Sequence, residues 1–204
     1  MEDSQNWTIE TDELQALIDA KDENLKIVCG SWNYGSDAPD AKLEFEEERI
    51  PNSVYFSIVD IADTESGMMA TLPSTDKFIA EMKRLGIKRT HKIVVYEHKH
   101  IFACLRATFM LRSWGAQDVR VLNGCFKKWK EEGREVASGP AEDVNDTSEE
   151  GYDYKLDESM WDNYDSTFKK VAEAESKPYY FTFLQPKAPN QVLFRRRKPR
   201  LPFH

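Results

Sequence analysis

The chain has 204 residues, of which 40% are hydrophobic and 31% are charged, so it holds enough apolar material for one core. No stretch approaches the roughly 20 consecutive apolar residues that cross a bilayer. The acidic N-terminus also lacks an apolar run, so we expect neither a transmembrane segment nor a secretory signal. Three cysteines without metal-type spacing favour free thiols in a reducing compartment, and we expect no metal and no other cofactor.

The net charge of −8 is distributed unevenly along the chain. Residues 141–175 include twelve acidic and three basic residues, whereas residues 176–204 include seven basic residues and no acidic ones. Blocks of like charge are typical of interaction segments rather than of catalytic ones.

From the N-terminus, hydrophobic spacing first predicts a helix capped by Thr11. The run Leu25–Cys29 is too short for a helix and predicts a buried strand, which a polar loop follows through Gly35 and Pro39. A second strand is predicted at Ser53–Ile58. The apolar positions of the first helix are Leu14, Leu17 and Ile18.

The next helix is capped by Ser74 and ended by Gly86. Its inner face consists of Phe78, Ile79, Met82 and Leu85. The remaining elements are a strand Ile93–Tyr96, an apolar helix Phe102–Arg112, a strand Val119–Leu122 and a short helix after Asn123-Gly124 that holds Phe126 and Trp129. This alternation predicts an α/β domain over residues 1–140, with a mainly parallel central sheet flanked by helices. Because sites in such folds lie beyond the carboxyl ends of strands, we look for chemistry in the loop after Tyr96.

Residues 141–204 are predicted to form an extended C-terminal tail in three parts. An acidic linker comes first, then an amphipathic helix, then a basic segment with several prolines. The apolar positions of the helix are Met160, Trp161, Tyr164, Phe168 and Val171.

Several segments together resemble the two-domain rhodanese family, the thiosulfate and 3-mercaptopyruvate sulfurtransferases. They are CGSW near Cys29, RIPNSVYFSIVDIADTESGMMATLPS, RLGIKRTHKIVVYE, and LRATFMLRSWGAQDVRVLNGCFKKWKEEGREVASGP. The resemblance is to the family's N-terminal domain, which in the family itself lacks the catalytic cysteine, and it implies the three-layer rhodanese fold for residues 8–140. Residues 154–183 resemble the start of the family's second domain, after which the resemblance ends, so we expect the half with the persulfide-forming cysteine to be missing.

The resemblance also implies where the active-site loop should be and how this chain departs from it. The equivalent loop consists of Glu97, His98, Lys99, His100, Ile101 and Phe102. Active rhodanese domains have their cysteine where this chain has Glu97, which would repel a thiolate, thiosulfate or sulfite. Family loops also tend to carry glycine, so that N–H groups converge on an anionic sulfur species. The aspartate usual at the end of the first long strand is Cys29, and the His-Ile-Pro-Gly-Ala signature is replaced by Arg49-Ile50-Pro51-Asn52-Ser53.

The thiols and histidines near this loop favour ordinary structural roles. Cys104 lies in an apolar helix and is predicted to pack in the core, whereas Cys125, in a loop-to-helix turn, could be exposed without a nearby general base. His98 and His100, with His91, favour a solvated loop over a metal site, although Lys99 could hold an anion.

The tail permits contact with RNA, with an anionic membrane surface, or with an acidic protein face. We favour protein docking. The residues expected to bind a partner are Trp161, Tyr164, Phe168, Tyr179, Tyr180, Phe181, Arg195, Arg196, Arg197, Lys198 and Arg200.

The sequence therefore predicts a catalytically inactive rhodanese-like accessory subunit of a larger assembly, in a mitochondrial complex that is respiratory or ribosomal, with the cytoplasm as the other compartment. One alternative is an active thiosulfate or 3-mercaptopyruvate sulfurtransferase, against which Glu97 argues. The other is an anion- or RNA-binding module that uses Lys99 and the Arg195–Arg200 cluster.

Overall fold

The computed structural model describes residues 6–35, 37–63, 71–99 and 101–160. Five strands form one parallel sheet in the order β1-β5-β4-β2-β3. They are β1 Thr8–Ile9, β2 Leu25–Cys29, β3 Ser53–Tyr55, β4 Lys92–Tyr96 and β5 Asp118–Leu122. Cys29 is in register with both Tyr55 and Tyr96, so β2, β3 and β4 end at the same level.

Helices cover both faces of this sheet. They are α1 Thr11–Asp19, α2 Ala41–Glu47, α3 Thr75–Leu85, α4 Ala103–Ser113 and α5 Cys125–Glu131, and a short 3-10 turn follows at Glu158–Met160. Successive strand residues point to opposite faces: Val95 of β4 packs with α3 and α4, while Val94 packs with α1, α2 and α5. The predicted three-layer α/β fold is confirmed.

The predictions that depend on residues close together in the sequence agree best with the structure. Strand β2 has the predicted bounds, and Ser74 caps α3 by accepting a hydrogen bond from the Lys77 N–H. At α1, however, the cap is Glu10, which forms a capping box with Glu13, and Thr11 is the first helical residue.

Three further predictions need correction. Helix α2 lies between the predicted polar loop and the second predicted strand, where no element was predicted; Asp40 caps it and Phe45 is buried. Strand β3 ends at Tyr55 rather than at residue 58, and the edge strand β1 was missed because two residues carry no periodic signal.

The acidic segment after Pro140 packs against the rest of the domain. Tyr152 and Tyr154 belong to the core, and the Tyr154 hydroxyl donates to the carbonyl of Ile87 at 3.0 Å. The ring of Tyr154 also contacts Phe78 edge-on. The described residues of this segment therefore pack with the domain, although they lie beyond the boundary at 140 that composition predicted. We call residues 144–157 the base strap.

Residues 161–204 lie outside the described residues. The predicted partner-binding residues at 161–181 and 195–200 are among those not described, so their role stays a prediction. Within the described part of the chain, no helix is long and apolar enough to cross a membrane.

Candidate functional site

The predicted site loop lies at the carboxyl ends of the central strands, between β4 and the first turn of α4. The segments that follow β2 and β5 lie beside this loop. Gly30 allows the chain after β2 to pass close to α4, because a Cβ there would lie 2.9 Å from the Cβ of Ala107. Of the described loop residues, Glu97–Lys99 and Ile101–Phe102, only Glu97 and Phe102 line a cavity together with Trp32; His100 lies outside the described residues.

The carboxylate of Glu97 is the central polar group of this loop. Its side chain is nearly buried, at 5% exposure, and Oε2 accepts hydrogen bonds from the N–H groups of Phe102 at 2.9 Å and Cys104 at 3.1 Å. The first N–H groups of a helix have no partner within the helix, and Phe102 provides no side-chain cap for α4. Glu97 takes that role, in which a negative charge near the helix N-terminus is favourable.

This geometry refines the expectation that Glu97 only repels anions. The N–H donors that could hold an anionic sulfur group are present, and an internal carboxylate occupies two of them. An external anion would have to displace Glu97 from the start of α4.

His98 is held in a hydrogen-bond network rather than in a solvated loop. Nε2 lies 2.7 Å from the carbonyl oxygen of Glu48 and donates to it, while Nδ1 lies 3.0 Å from Oγ of Ser31. The Ser31 oxygen also accepts from the backbone N–H of His98 at 3.0 Å. Burial lowers the pKa of His98, so the neutral ring with Nδ1 as acceptor is the form that fits.

Lys99 is already paired. Its ammonium donates to the carboxylate of Glu44 on α2, which also accepts from the side chain of Asn33. Burial alone would raise the pKa of Glu44, but these hydrogen bonds outweigh it and lower that pKa. The described geometry therefore does not favour the predicted anion-holding role of Lys99.

All three thiols of the chain are free and buried. Burial raises the pKa of the Cys29 thiol to about 12. Cys104 is confirmed as a core residue, and its hydrogen bond to the sulfur of Cys125 raises the pKa of Cys104 and lowers that of Cys125. Cys125 is only 2% exposed, so the turn does not expose it as its position suggested; it has a φ of +53° where the family prefers glycine.

Beside Glu97 lies a cavity of about 330 Å³, which we call the aromatic cavity. Its walls include Trp32, Tyr34 and Phe102, and Glu97 lines it. Trp32 and Tyr34 contact edge-on, with ring centroids 5.5 Å apart. Neither residue was predicted to belong to the site, although both follow β2 in the sequence and therefore lie at the carboxyl edge of the sheet.

Among residues 6–35, 37–63, 71–99 and 101–160, no three or more His, Cys, Asp or Glu side chains are grouped so as to hold a metal. His91, one of the histidines considered for such a site, accepts a hydrogen bond at Nδ1 from the Lys88 N–H, at 2.9 Å.

A family model and individual relatives both show that this chain is similar to rhodanese-like proteins. The family described as "Rhodanese-like domain" matches residues 6–132. The thiosulfate sulfurtransferase of Gallus gallus is 32% identical over 149 residues, which are 72% of this chain and 50% of that protein. The chain thus spans about half the length of this curated relative, and less of several others.

Solved structures agree on the fold. The 3-mercaptopyruvate sulfotransferase SseA from Escherichia coli has a TM-score of 0.74 at 22% identity, over 84% of this chain and 62% of that one. The yeast mitochondrial complex I sub-stoichiometric sulfur transferase subunit has a TM-score of 0.51 at 27% identity, over 56% of this chain and 38% of that one.

Proposed function

This chain belongs to the rhodanese-like domain family, and on that premise we propose that it is a catalytically inactive member serving as an accessory subunit of a larger mitochondrial assembly. The observation that carries the proposal is the buried Glu97 carboxylate at the start of α4. It stands where the family resemblance puts the cysteine of active domains.

The chemistry of sulfur transfer explains why this residue matters. A persulfide intermediate requires a thiol sulfur that forms an S–S bond, and a carboxylate oxygen cannot replace it. Glu97 also places negative charge where an anionic sulfur donor would have to approach, and Lys99 nearby is neutralised by Glu44.

Membership of an assembly is supported by two observations. The similarity to a subunit of yeast mitochondrial complex I points to a respiratory complex and to the mitochondrion. The basic block of residues 176–204, which contains seven basic and no acidic residues, fits a segment that docks on a partner.

An activity assay tests the catalytic half of the proposal. The full chain, incubated with thiosulfate and cyanide, should form thiocyanate only at the background rate. The rate should be the same in Cys104→Ala and Cys125→Ala. Turnover above background that either substitution abolishes would contradict the proposal.

A fractionation experiment tests the assembly half. Gentle solubilisation of mitochondria followed by native electrophoresis should show the protein migrating with a complex much larger than 23.7 kDa. Migration only as a free monomer, under conditions where complex I stays intact, would contradict it.

The second candidate function is an active sulfurtransferase. The observation in its favour is Cys125, since its pKa is lowered by the hydrogen bond from Cys104 and it lies beside Glu97. Against it stands the burial of the Cys125 side chain. Loss of turnover in Cys125→Ala, with retention in Cys29→Ala, would establish this alternative.

A further inference from the structure

The aromatic cavity combines exposed rings with a carboxylate. Tyr34 and Phe102 are 76% and 68% exposed, while Trp32 is half-buried and packs against the core. Large aromatic side chains exposed together around a concavity are costly in water and commonly mark a binding site.

Charge determines which ligand suits this cavity. Among its described lining residues, Glu97 carries the only formal charge, and that charge is negative. The other described lining residues, Asn33, Ala38 and Pro39, carry no charge. The faces of aromatic rings also carry negative potential, so both contributions favour a cation.

The volume limits the ligand's size. About 330 Å³ lies at the lower end of the range for small-molecule sites, and suits one long side chain better than a cofactor. The surrounding exposed apolar residues, Ile101 and Leu105, extend the contact surface beyond the cavity as a protein partner would need.

We propose that the aromatic cavity binds the guanidinium group of an arginine presented by a protein partner, between the rings of Trp32, Tyr34 and Phe102 and next to the Glu97 carboxylate. The proposal rests on the proposed function, because it gives the former catalytic loop a docking role. A guanidinium fits better than an ammonium because it is planar, stacks on aromatic faces and is more weakly hydrated. The site thereby favours a cationic ligand, whereas a sulfur-transfer loop holds an anionic sulfur species.

A peptide titration of the full chain tests this directly. The probe is the blocked peptide Gly-Arg-Gly, and its matched control is Gly-citrulline-Gly, which has nearly the same shape without the charge. NMR signals of the Trp32 indole and the Phe102 amide should shift with the arginine peptide, with a dissociation constant on the order of a few millimolar. The citrulline peptide should bind at least about tenfold more weakly.

Variants locate the binding. Tyr34→Ala and Phe102→Ala should each weaken the arginine peptide about two- to fivefold, because an exposed cation–π contact contributes about 0.5–1 kcal/mol. Glu97→Gln should weaken binding of the arginine peptide more than either of these two substitutions does. Trp7 is an exposed aromatic residue outside the cavity, so Trp7→Ala should leave this binding unchanged. Equal binding of both peptides, unchanged binding in the cavity variants, or no shift at high peptide concentration would overturn the proposal.

The binding test and the activity assay fail independently. If the peptide does not bind while thiosulfate turnover stays at background, the cavity proposal is wrong and the inactive domain stands. If turnover is found, the proposed function is wrong, whatever the peptide does.

Discussion

At the base of the domain, near the amino ends of the strands, Tyr152 and Tyr154 are 3% and 2% exposed; at the carboxyl ends, Tyr34 and Phe102 are 76% and 68% exposed. The same kinds of side chain therefore serve opposite purposes at the two ends. The base strap closes the core, whereas the aromatic cavity leaves apolar surface for something else to cover. A domain of this size has little stability to spare, so the first group is expected to determine folding and the second recognition.

The largest expected effect is at the base. Tyr154→Ala should lower the free energy of unfolding by about 3–5 kcal/mol, because it empties a core position and removes the hydrogen bond to Ile87. Urea denaturation measures this, with Tyr34→Ala as the matched tyrosine control, expected to stay within about 0.5 kcal/mol of wild type. Equal losses in the two variants would remove the distinction between the two ends.

The next largest effect on stability is expected at Glu97, because this residue both caps α4 and lines the aromatic cavity. Glu97→Ala should lower the free energy of unfolding by about 2–3 kcal/mol, because the N–H groups of Phe102 and Cys104 lose their acceptor. Glu97→Gln keeps one oxygen acceptor and should cost less. The measurement is again urea denaturation.

An anion should partly replace the lost carboxylate. Sulfate should raise the melting temperature of Glu97→Ala more than that of wild type or Glu97→Gln, because the vacated N–H groups can donate hydrogen bonds to the sulfate oxygens. The same sulfate response in all three proteins would mean that Glu97 does not occupy an anion position.

The smallest effect is a pH dependence that arises at the base. Burial lowers the pKa of His91 to about 4, from 6.5, while its Nδ1 accepts from the Lys88 N–H. As the pH falls, His91 is therefore protonated in the unfolded chain at a higher pH than in the folded protein. The free energy of unfolding consequently decreases as the pH falls from about 6.5 to about 4. His91→Gln should make that loss smaller, with part of the slope left because burial also lowers the pKa of His98. An unchanged slope in His91→Gln, measured by denaturation across this pH range, would contradict this role.

Much of the fold was readable from local signals. The run Leu25–Cys29, the cap at Ser74 and the stop at Gly86 each depend on residues within a few positions of one another. The family resemblance added the three-layer arrangement and the place of the loop. Helix α2 was not predicted because only two of its seven residues, Ala41 and Phe45, are buried, and two buried positions give little periodic signal.

The candidate site was only half predictable. Its position followed from the strand–loop–helix order, and the identity of Glu97 followed from the resemblance. That this carboxylate turns inward to cap α4, five and seven residues further along the chain, depends on how the loop folds back. Residue types alone do not reveal such a turn.

The sequence by itself determined the layers of this protein, since the period of apolar residues specifies which face of each helix and strand is buried. It also determined that no cysteine stands at position 97. Only the tertiary structure decided that the acidic segment after Pro140 belongs to the core, because Tyr152 and Tyr154 find their partners more than sixty residues earlier in the chain. It decided as well that Trp32, Tyr34 and Phe102 share one cavity with Glu97, since this requires the ends of two strands to meet in space.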